Sequence, residues 1–323
     1  MTRAEVRTLG PDGPSVSAIG FGSWAIGGPH SRAGAPIGWG DVDDNESIAA
    51  IHAALDAGIT FFDTADVYGC GHSERIIGRG LRGHLADVVI ATKFGFTYDE
   101  STRESPGSNA APEYIRWACE QSLRRLGVDR IDLYQFHLPD YPIDEAEVVL
   151  GTLEELVEAG KVRSFGWSTD DPIRAELFAA SPNCAAVQQS FNILDGNKDT
   201  LAVAERHGLA DIVRSPLGMG LLTGTISSST RFSATDVRSG WDFEHTEGAK
   251  LEALARVRDI LASDGRTVAQ GALCWLLARS SAFIPIPGIR TVAQAKQNAG
   301  ALEFGPLKAA QLDEIDAALL RAP

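Results

Sequence analysis

Residues 58–69 read Gly58-Ile59-Thr60-Phe61-Phe62-Asp63-Thr64-Ala65-Asp66-Val67-Tyr68-Gly69. A β-favouring apolar run over Thr60–Asp63 ends on an acid, and a phenol follows within the next few residues. The pattern repeats downstream. Val88–Thr92 is apolar and β-branched and stops at Lys93, and Leu133–Phe136 stops at His137. Short apolar runs without polar alternation suit strands buried on both faces, as in a parallel sheet. Polar groups collected just past the carboxyl ends of such strands are where a barrel of parallel strands does its chemistry. Working outward, Ala18–Gly22 precedes these runs, and Ser164–Gly166, Ala186–Gln188, Ile212–Arg214 and Phe283–Pro285 follow, giving eight strand candidates.

Amphipathic segments separate them: Asn45–Ala57, Ser73–Leu81, Glu113–Leu126, Glu145–Ala159, Ile173–Ala180, Asp199–His207 and Thr267–Ala278. Asp44 suits a helix N-cap, Pro112 a first turn, and Gly58, Gly127 and Gly160 helix exits. Strands alternating with helices, with no second zone of composition, predict an α/β fold, a (β/α)8 TIM barrel spanning residues 1–323 as one domain. Val6–Leu9 and Ser15–Ala18 flank Pro11-Asp12-Gly13-Pro14 and read as an N-terminal β-hairpin closing the barrel's bottom. Phe94–Ala111 and Leu217–Glu247 read as long loops over the C-terminal mouth, and Leu307–Pro323 as an extra outer helix. A doubly wound sheet would place G-x-G-x-x-G at the first strand–helix turn. Gly20-Phe21-Gly22-Ser23-Trp24-Ala25 has alanine at the last glycine position, and no helix pattern follows at once.

The chain has 323 residues, is 44% hydrophobic and 22% charged, and carries a formal charge of −14. That balance is globular, and the negative sign excludes a phosphate-backbone-binding surface, so no nucleic-acid partner is expected. The stretch Met1–Arg7 has no apolar segment of the kind a signal peptide needs. No run approaches the ~18 apolar residues of a membrane span. Cys70, Cys119, Cys184 and Cys274 are widely spaced and form no C-x-x-C. They read as reduced thiols of a cytoplasmic protein without a metal site.

Asp63, Tyr68, Lys93 and His137 form the candidate catalytic set. A free phenol titrates near ~10 and is a poor acid at neutral pH. A neighbouring ammonium lowers that value, so Lys93 is expected to activate Tyr68, with Asp63 anchoring Lys93. His137 would orient a substrate carbonyl. Trp24, Tyr68, Phe94 and His137 are the candidate substrate-pocket residues, with Phe96, Tyr98 and Trp241 as further mouth aromatics.

These residues also carry a resemblance. Gly58–Gly69 followed by Gly71-His72-Ser73-Glu74, then Asp132–His137, Gly160–Gly166 and Pro216–Gly224, resemble the signature segments of the aldo-keto reductase family over nearly the whole chain. The resemblance implies the tetrad Asp63, Tyr68, Lys93 and His137, and hydride transfer from a reduced nicotinamide to a carbonyl carbon while Tyr68 protonates the oxygen. It implies cofactor contacts at Gly22, Ser23, Trp24 and Asp63, and at Ser168, Thr169 and Gln188 around the carboxamide. Thr169 stands where the family commonly has Asn. Arg214 stands where a tyrosine usually stacks on the nicotinamide, and a guanidinium plane can stack in its place. Ser215, Pro216, Leu217, Gly218 and Gly220 continue that wall. Pro287, Gly288, Ile289, Arg290, Gln294, Gln297 and Asn298 resemble the adenosine-phosphate loop and helix. Arg290 is the expected clamp for a 2′-phosphate, so NADPH is expected over NADH, and Gln297 replaces a common Glu. The expected partner is a small-molecule carbonyl compound. Two other readings are compatible with the tetrad: a cofactor-sensing regulatory subunit with weak reductase activity, and a barrel lyase using Lys93 as a Schiff-base nucleophile.

Overall fold

The computed structural model describes residues 5–320. Parts of the Met1–Arg7 and Leu307–Pro323 segments therefore lie outside the described residues. Eight parallel strands follow one another around a closed sheet: β1 (Phe21–Gly22), β2 (Phe61–Asp63), β3 (Val89–Phe94), β4 (Ile131–Phe136), β5 (Val162–Ser168), β6 (Cys184–Asn192), β7 (Ala210–Arg214) and β8 (Phe283–Pro285). The seam between β1 and β8 is closed by Gly20 N–H to Pro285 O at 2.9 Å, Gly22 N–H to Pro287 O at 3.1 Å and Ile289 N–H to Gly22 O at 3.1 Å. Gly22 is needed there, because a Cβ would come within 2.5 Å of the Ile286 carbonyl oxygen. The expected barrel is present.

Strand parity sorts the side chains. Phe61, Val89, Ala91, Leu133, Ala186, Ile212 and Ile284 face inward and fill the barrel. The hairpin strands Val6–Thr8 and Ser15–Ser17 pair antiparallel, and Leu9 and Val16 plug the lower end of this interior. Phe62, Ile90, Tyr134, Phe136, Phe165 and Trp167 face outward and pack under the helices. Those helices are α1 (Asp44–Asp56), α2 (His72–Gly80), α3 (Pro112–Leu126), α4 (Ala146–Glu158), α5 (Pro172–Ala179), α6 (Lys198–His207), α7 (Thr246–Leu261), α8 (Val268–Arg279), α9 (Val292–Ala299), α10 (Ala301–Phe304) and α11 (Ala309–Leu320).

Local chemistry sets the ends. Asp43, one residue before the expected cap, receives the N–H groups of Asn45 and Glu46 and starts α1. Pro112 occupies the first turn of α3, and Gly127 ends it at φ 71°. Thr267 and Gln270 form a reciprocal capping box on α8. Helix α7 lies beyond those the sequence pattern picks out. It buries only Leu254, Val257 and Leu261 and packs on α8 and α11.

Segment 94–111 is not simply a loop. Phe96–Asp99 and Glu104–Ser108 pair antiparallel, and Ser31–Arg32, itself paired with Ala35–Pro36, joins them in a small sheet over the mouth. Segment 217–247 holds a short 3-10 turn over Gly218–Thr223 and ties across the mouth by Val237 N–H to Gly38 O at 2.8 Å. No helix among the described residues is long and apolar enough to cross a membrane.

Candidate active site

The inward parity that fills the barrel with Phe61, Ala91 and Leu133 continues upward to Asp63, Lys93, Gln135 and His137. Asp63, Lys93 and Gln135 are almost wholly buried and form the polar floor of the mouth. Lys93 Nζ donates to Asp63 Oδ1 at 2.5 Å, to the Thr64 carbonyl at 2.8 Å and to Tyr68 Oη at 3.1 Å. Its three donors are thus all used. Asp63 Oδ2 accepts from Gln135 Nε2 at 3.0 Å and from Gln188 Nε2 at 2.9 Å, and Gln188 Nε2 also donates to Gln135 Oε1 at 3.0 Å. Gln135 was absent from the sequence-derived set. The alternation through Leu133, Gln135 and His137 was the signal that could have found it.

The loop carrying Tyr68 turns sharply through Gly69 (φ 59°), Cys70 (φ 54°) and Gly71 (φ 86°) into α2. A Cβ on Gly69 would lie 1.8 Å from the Gly27 carbonyl oxygen, which accounts for glycine beside the phenol. The residues after it anchor the loop. Ser73 Oγ bonds Ser23 Oγ at 2.8 Å and accepts from Thr64 Oγ1 at 2.9 Å. Buried Glu74 accepts from Thr92 Oγ1 and from Arg125 Nε, each at 2.6 Å. The Gly-His-Ser-Glu segment therefore fixes the donor loop to β1, β3 and α3.

Charge states follow from burial and neighbours. Burial raises the Tyr68 phenol above its usual value, and Lys93 only partly opposes it. This corrects the sequence expectation of a lowered pKa: a buried phenolate loses more hydration than one cation returns. Burial would lower Lys93, but Asp63 and Tyr68 together outweigh it and the ammonium is held above its ordinary value. With all three donors engaged, Lys93 is placed to hold Asp63 and Tyr68. Burial, then Lys93, Arg214 and Arg32, push His137 well below the usual range, so its imidazole is neutral at pH 7. Its Nδ1 is sealed without a partner, leaving Nε2 to meet a substrate.

A cavity of about 630 Å³ opens above this floor and runs from Tyr68 and His137 to Arg290, Gln294, Gln297 and Asn298. Of the sequence-derived residues, Gly22, Ser23, Trp24, Asp63, Ser168, Arg214, Ser215, Pro216, Leu217, Gly220 and Gly288 also line it. Gly218, Pro287 and Ile289 lie beside lining residues without forming the wall. Thr169 is turned away: its hydroxyl donates to the Pro139 carbonyl at 2.9 Å and accepts from Asp171 N–H at 3.1 Å. Gln188 acts from below, on Asp63. Phe94 is corrected. It has the outward parity of Ile90 and Thr92, and its ring is buried 4.5 Å from that of Tyr134, on the helix side of the barrel.

The mouth aromatic cluster is Trp24 stacked on Tyr68 at 6.1 Å, Trp39 edge-on to Trp24 at 5.3 Å, and Phe96 edge-on to His137 at 5.3 Å. Trp39, His30 and Arg32 come from the 27–41 connection, whose two paired strands are only two residues long, too short for a period to mark a wall-facing position. Trp241 instead packs with Phe232 and Phe243 in the 217–247 segment. Arg214 reaches Asp170 Oδ2 at 2.5 Å while lining the cavity. Arg290 donates to the carbonyls of Trp39 (3.1 Å) and Asp41, and has no carboxylate partner among the described residues.

The residues fit a dinucleotide. The Asn298 amide and Ser168 hydroxyl are on the wall and have no side-chain hydrogen bond among the described residues. The segments after β7 and β8, the usual phosphate-binding end of such barrels, form the far wall. The four cysteines are free and buried, and burial raises the Cys70 thiol to about 11, so it is not a reactive group.

Comparison with known proteins places these features in context. The profile of the Aldo/keto reductase family matches residues 18–320. A Schizosaccharomyces pombe aldo-keto reductase named for NADP(+) is 33% identical over 308 residues, covering 92% of this chain and 86% of its own. Among solved structures, a glycerol dehydrogenase of Gluconobacter oxydans superposes with a TM-score of 0.84 at 34% identity, over 99% of this chain and 96% of its own. An aldo-keto reductase of Klebsiella pneumoniae in complex with NADPH gives 0.70 at 27%, over 98% and 95%.

Proposed function

This chain belongs to the aldo/keto reductase family, and from that premise we propose that it is an NADPH-dependent reductase converting an aldehyde, ketone or sugar carbonyl to the alcohol. The observation that carries this reading is Lys93 Nζ bridging Asp63 Oδ1 and Tyr68 Oη under a cavity that reaches Arg290 and Asn298. When bound, the reduced nicotinamide supplies the hydride. The chain's own residues do the rest. Neutral His137 presents Nε2 to the carbonyl oxygen and orients it beside the Tyr68 phenol. As charge develops on that oxygen, Tyr68 Oη releases its proton to it. Lys93, fixed by Asp63, stabilises the phenolate left behind. Gln135 and Gln188 hold Asp63 in the orientation that faces Lys93. A phenol kept protonated by burial is the form that a reduction needs.

Residues positioned to hold the cofactor are Ser168 for the carboxamide, Arg214 against the nicotinamide, the 215–220 segment for the pyrophosphate, and Arg290, Gln294, Gln297 and Asn298 at the adenosine end. Arg290 lacks a carboxylate of its own, which favours a cofactor carrying a 2′-phosphate. Steady-state kinetics with both cofactors should give a kcat/KM for NADPH at least tenfold above that for NADH, and the reverse preference refutes the choice. The mechanism is tested by Tyr68→Phe. Carbonyl reduction is expected to fall by ~10² or more, the scale of general acid help, with NADPH affinity within a few-fold by fluorescence titration. Activity retained within a few-fold would place the proton donor elsewhere.

A further inference from the structure

We propose that the carbonyl compound taken by this site carries an anionic group, a carboxylate or a phosphate, and that Arg32 binds it; the inference rests on the reductase reading above. Arg32 lies in the small sheet over the mouth and lines the same cavity as Tyr68 and His137. Its guanidinium carbon sits 3.9 Å from the centre of the Phe96 ring, and that ring is 5.3 Å from the His137 ring. Those two short steps put a cation at the catalytic end of the cavity.

Among the described residues, the Arg32 side chain makes no hydrogen bond or ion pair, and its Nε is sealed from solvent without an acceptor. A guanidinium on the cavity wall without a partner in the chain is open at its terminal N–H groups to an acceptor from the cavity. The other cations on the wall have partners within the protein. Arg214 pairs with Asp170, Arg238 with Asp236, and Arg290 bonds backbone carbonyls. The one carboxylate on the wall among the described residues, Asp63, is taken by Lys93. The catalytic end is therefore locally cationic in a chain of net charge −14.

The surroundings sharpen this. His30, also on the wall, is lowered to about 4, chiefly by burial and with help from Arg32 and Arg103. It is neutral at pH 7 and leaves Arg32 as the charged group there. Phe96 supplies a face against which the guanidinium plane rests. A guanidinium so held offers paired N–H donors that match two oxygens of a carboxylate or phosphate. A substrate anchored there by its anionic end would present a carbonyl a few bonds away to Tyr68 and His137. The reaction is unchanged: hydride to carbon, proton from Tyr68 to oxygen.

The test compares matched probes with NADPH as cofactor: succinic semialdehyde against butanal, and glyceraldehyde 3-phosphate against glyceraldehyde. The wild type is expected to favour the charged member of at least one pair by roughly tenfold or more in kcat/KM, carried mainly by KM, and the favoured pair identifies the anion. Arg32→Met should bring that ratio close to one, and Arg32→Lys should restore part of it, because the charge returns without the fork. Turnover of the neutral probes with no preference for either charged partner overturns the inference and leaves the reductase reading standing. Absence of turnover with any carbonyl overturns the reductase reading instead. In that case, isothermal titration of the NADP⁺ complex with butyrate and with inorganic phosphate decides about Arg32. Binding that Arg32→Met abolishes supports the anion site, and no binding, or binding unchanged in the variant, overturns it.

Discussion

The residue that departs most from the sequence expectation is Tyr68. Its neighbour Lys93 was legible as a cation, but the depth of the phenol was not, and depth decides the sign of the shift. Arg214 carries a second consequence of charge. A guanidinium beside an oxidised, positively charged nicotinamide is repelled, whereas beside the neutral reduced ring it is not. Fluorescence titration with both cofactor forms is expected to show Arg214→Tyr lowering the preference for reduced over oxidised cofactor by roughly five- to tenfold, the ~1 kcal/mol of a partly exposed charge interaction. An unchanged ratio would make Arg214 only the partner of Asp170. Asp211 offers a residue-scale test away from the site. It is fully buried, accepts from Gln189 Nε2 at 2.6 Å, and burial raises it to about 8. An acid raised on folding binds its proton in the native state while the unfolded chain has released it. Its stabilising contribution is complete below pH 3.8 and is lost as pH rises to about 8. Asp211→Asn, which cannot ionise, should therefore raise Tm by about 2–4 °C at pH 8, with a smaller gain at pH 5, as read by thermal unfolding at both pH values.

At the scale of elements, the seam and the helices make opposite demands on glycine. Gly22 in β1 lies against backbone of the β8 segment, with a Cβ meeting Ile286 O at 2.5 Å and Pro287 O at 3.0 Å. Gly22→Ala must push the seam apart, costing about 1–3 kcal/mol and weakening cofactor binding, since Gly22 and Gly288 both line the cavity. Gly151 in α4 is exposed, and a Cβ there meets nothing within 4 Å. Gly151→Ala should stabilise by about 0.5–1 kcal/mol. Urea midpoints of both variants check the pair. The strands and most helices were legible because burial on two faces produces unbroken apolar runs and burial on one face a helical period. Helix α7 was not, because it buries only three side chains near its C-terminal end. Phe94 was misplaced for a different reason. It sits at a strand end like the catalytic groups, but its parity sends it to the helix side, and parity was present in the sequence through Lys93. Trp39 and Arg32 were invisible because the strands of the 27–41 connection are only two residues long, too short for alternation to reveal which side chains face inward.

For the molecule as a whole, the tetrad and the barrel are one feature. The inward layer that begins as Phe61, Ala91 and Leu133 becomes Asp63, Lys93 and Gln135 one step higher, so the packing that fixes the core also fixes the catalytic floor. The anion-binding chamber, by contrast, depends on segments outside the repeat, and substrate choice can change there without disturbing the floor. The seam has a consequence in the order of biosynthesis. Gly22 and Gly288 bridge each other across nearly the full length of the chain. Contacts so distant in sequence form late, after the entropy of closing the intervening chain has been met. Until β8 has emerged from the ribosome, β1 has no second neighbour and the cavity lacks one wall. The β8 segment supplies Ile284 to the inward core and Gly288 to the cavity wall, so the catalytic floor and the cofactor seat are completed together, late in synthesis.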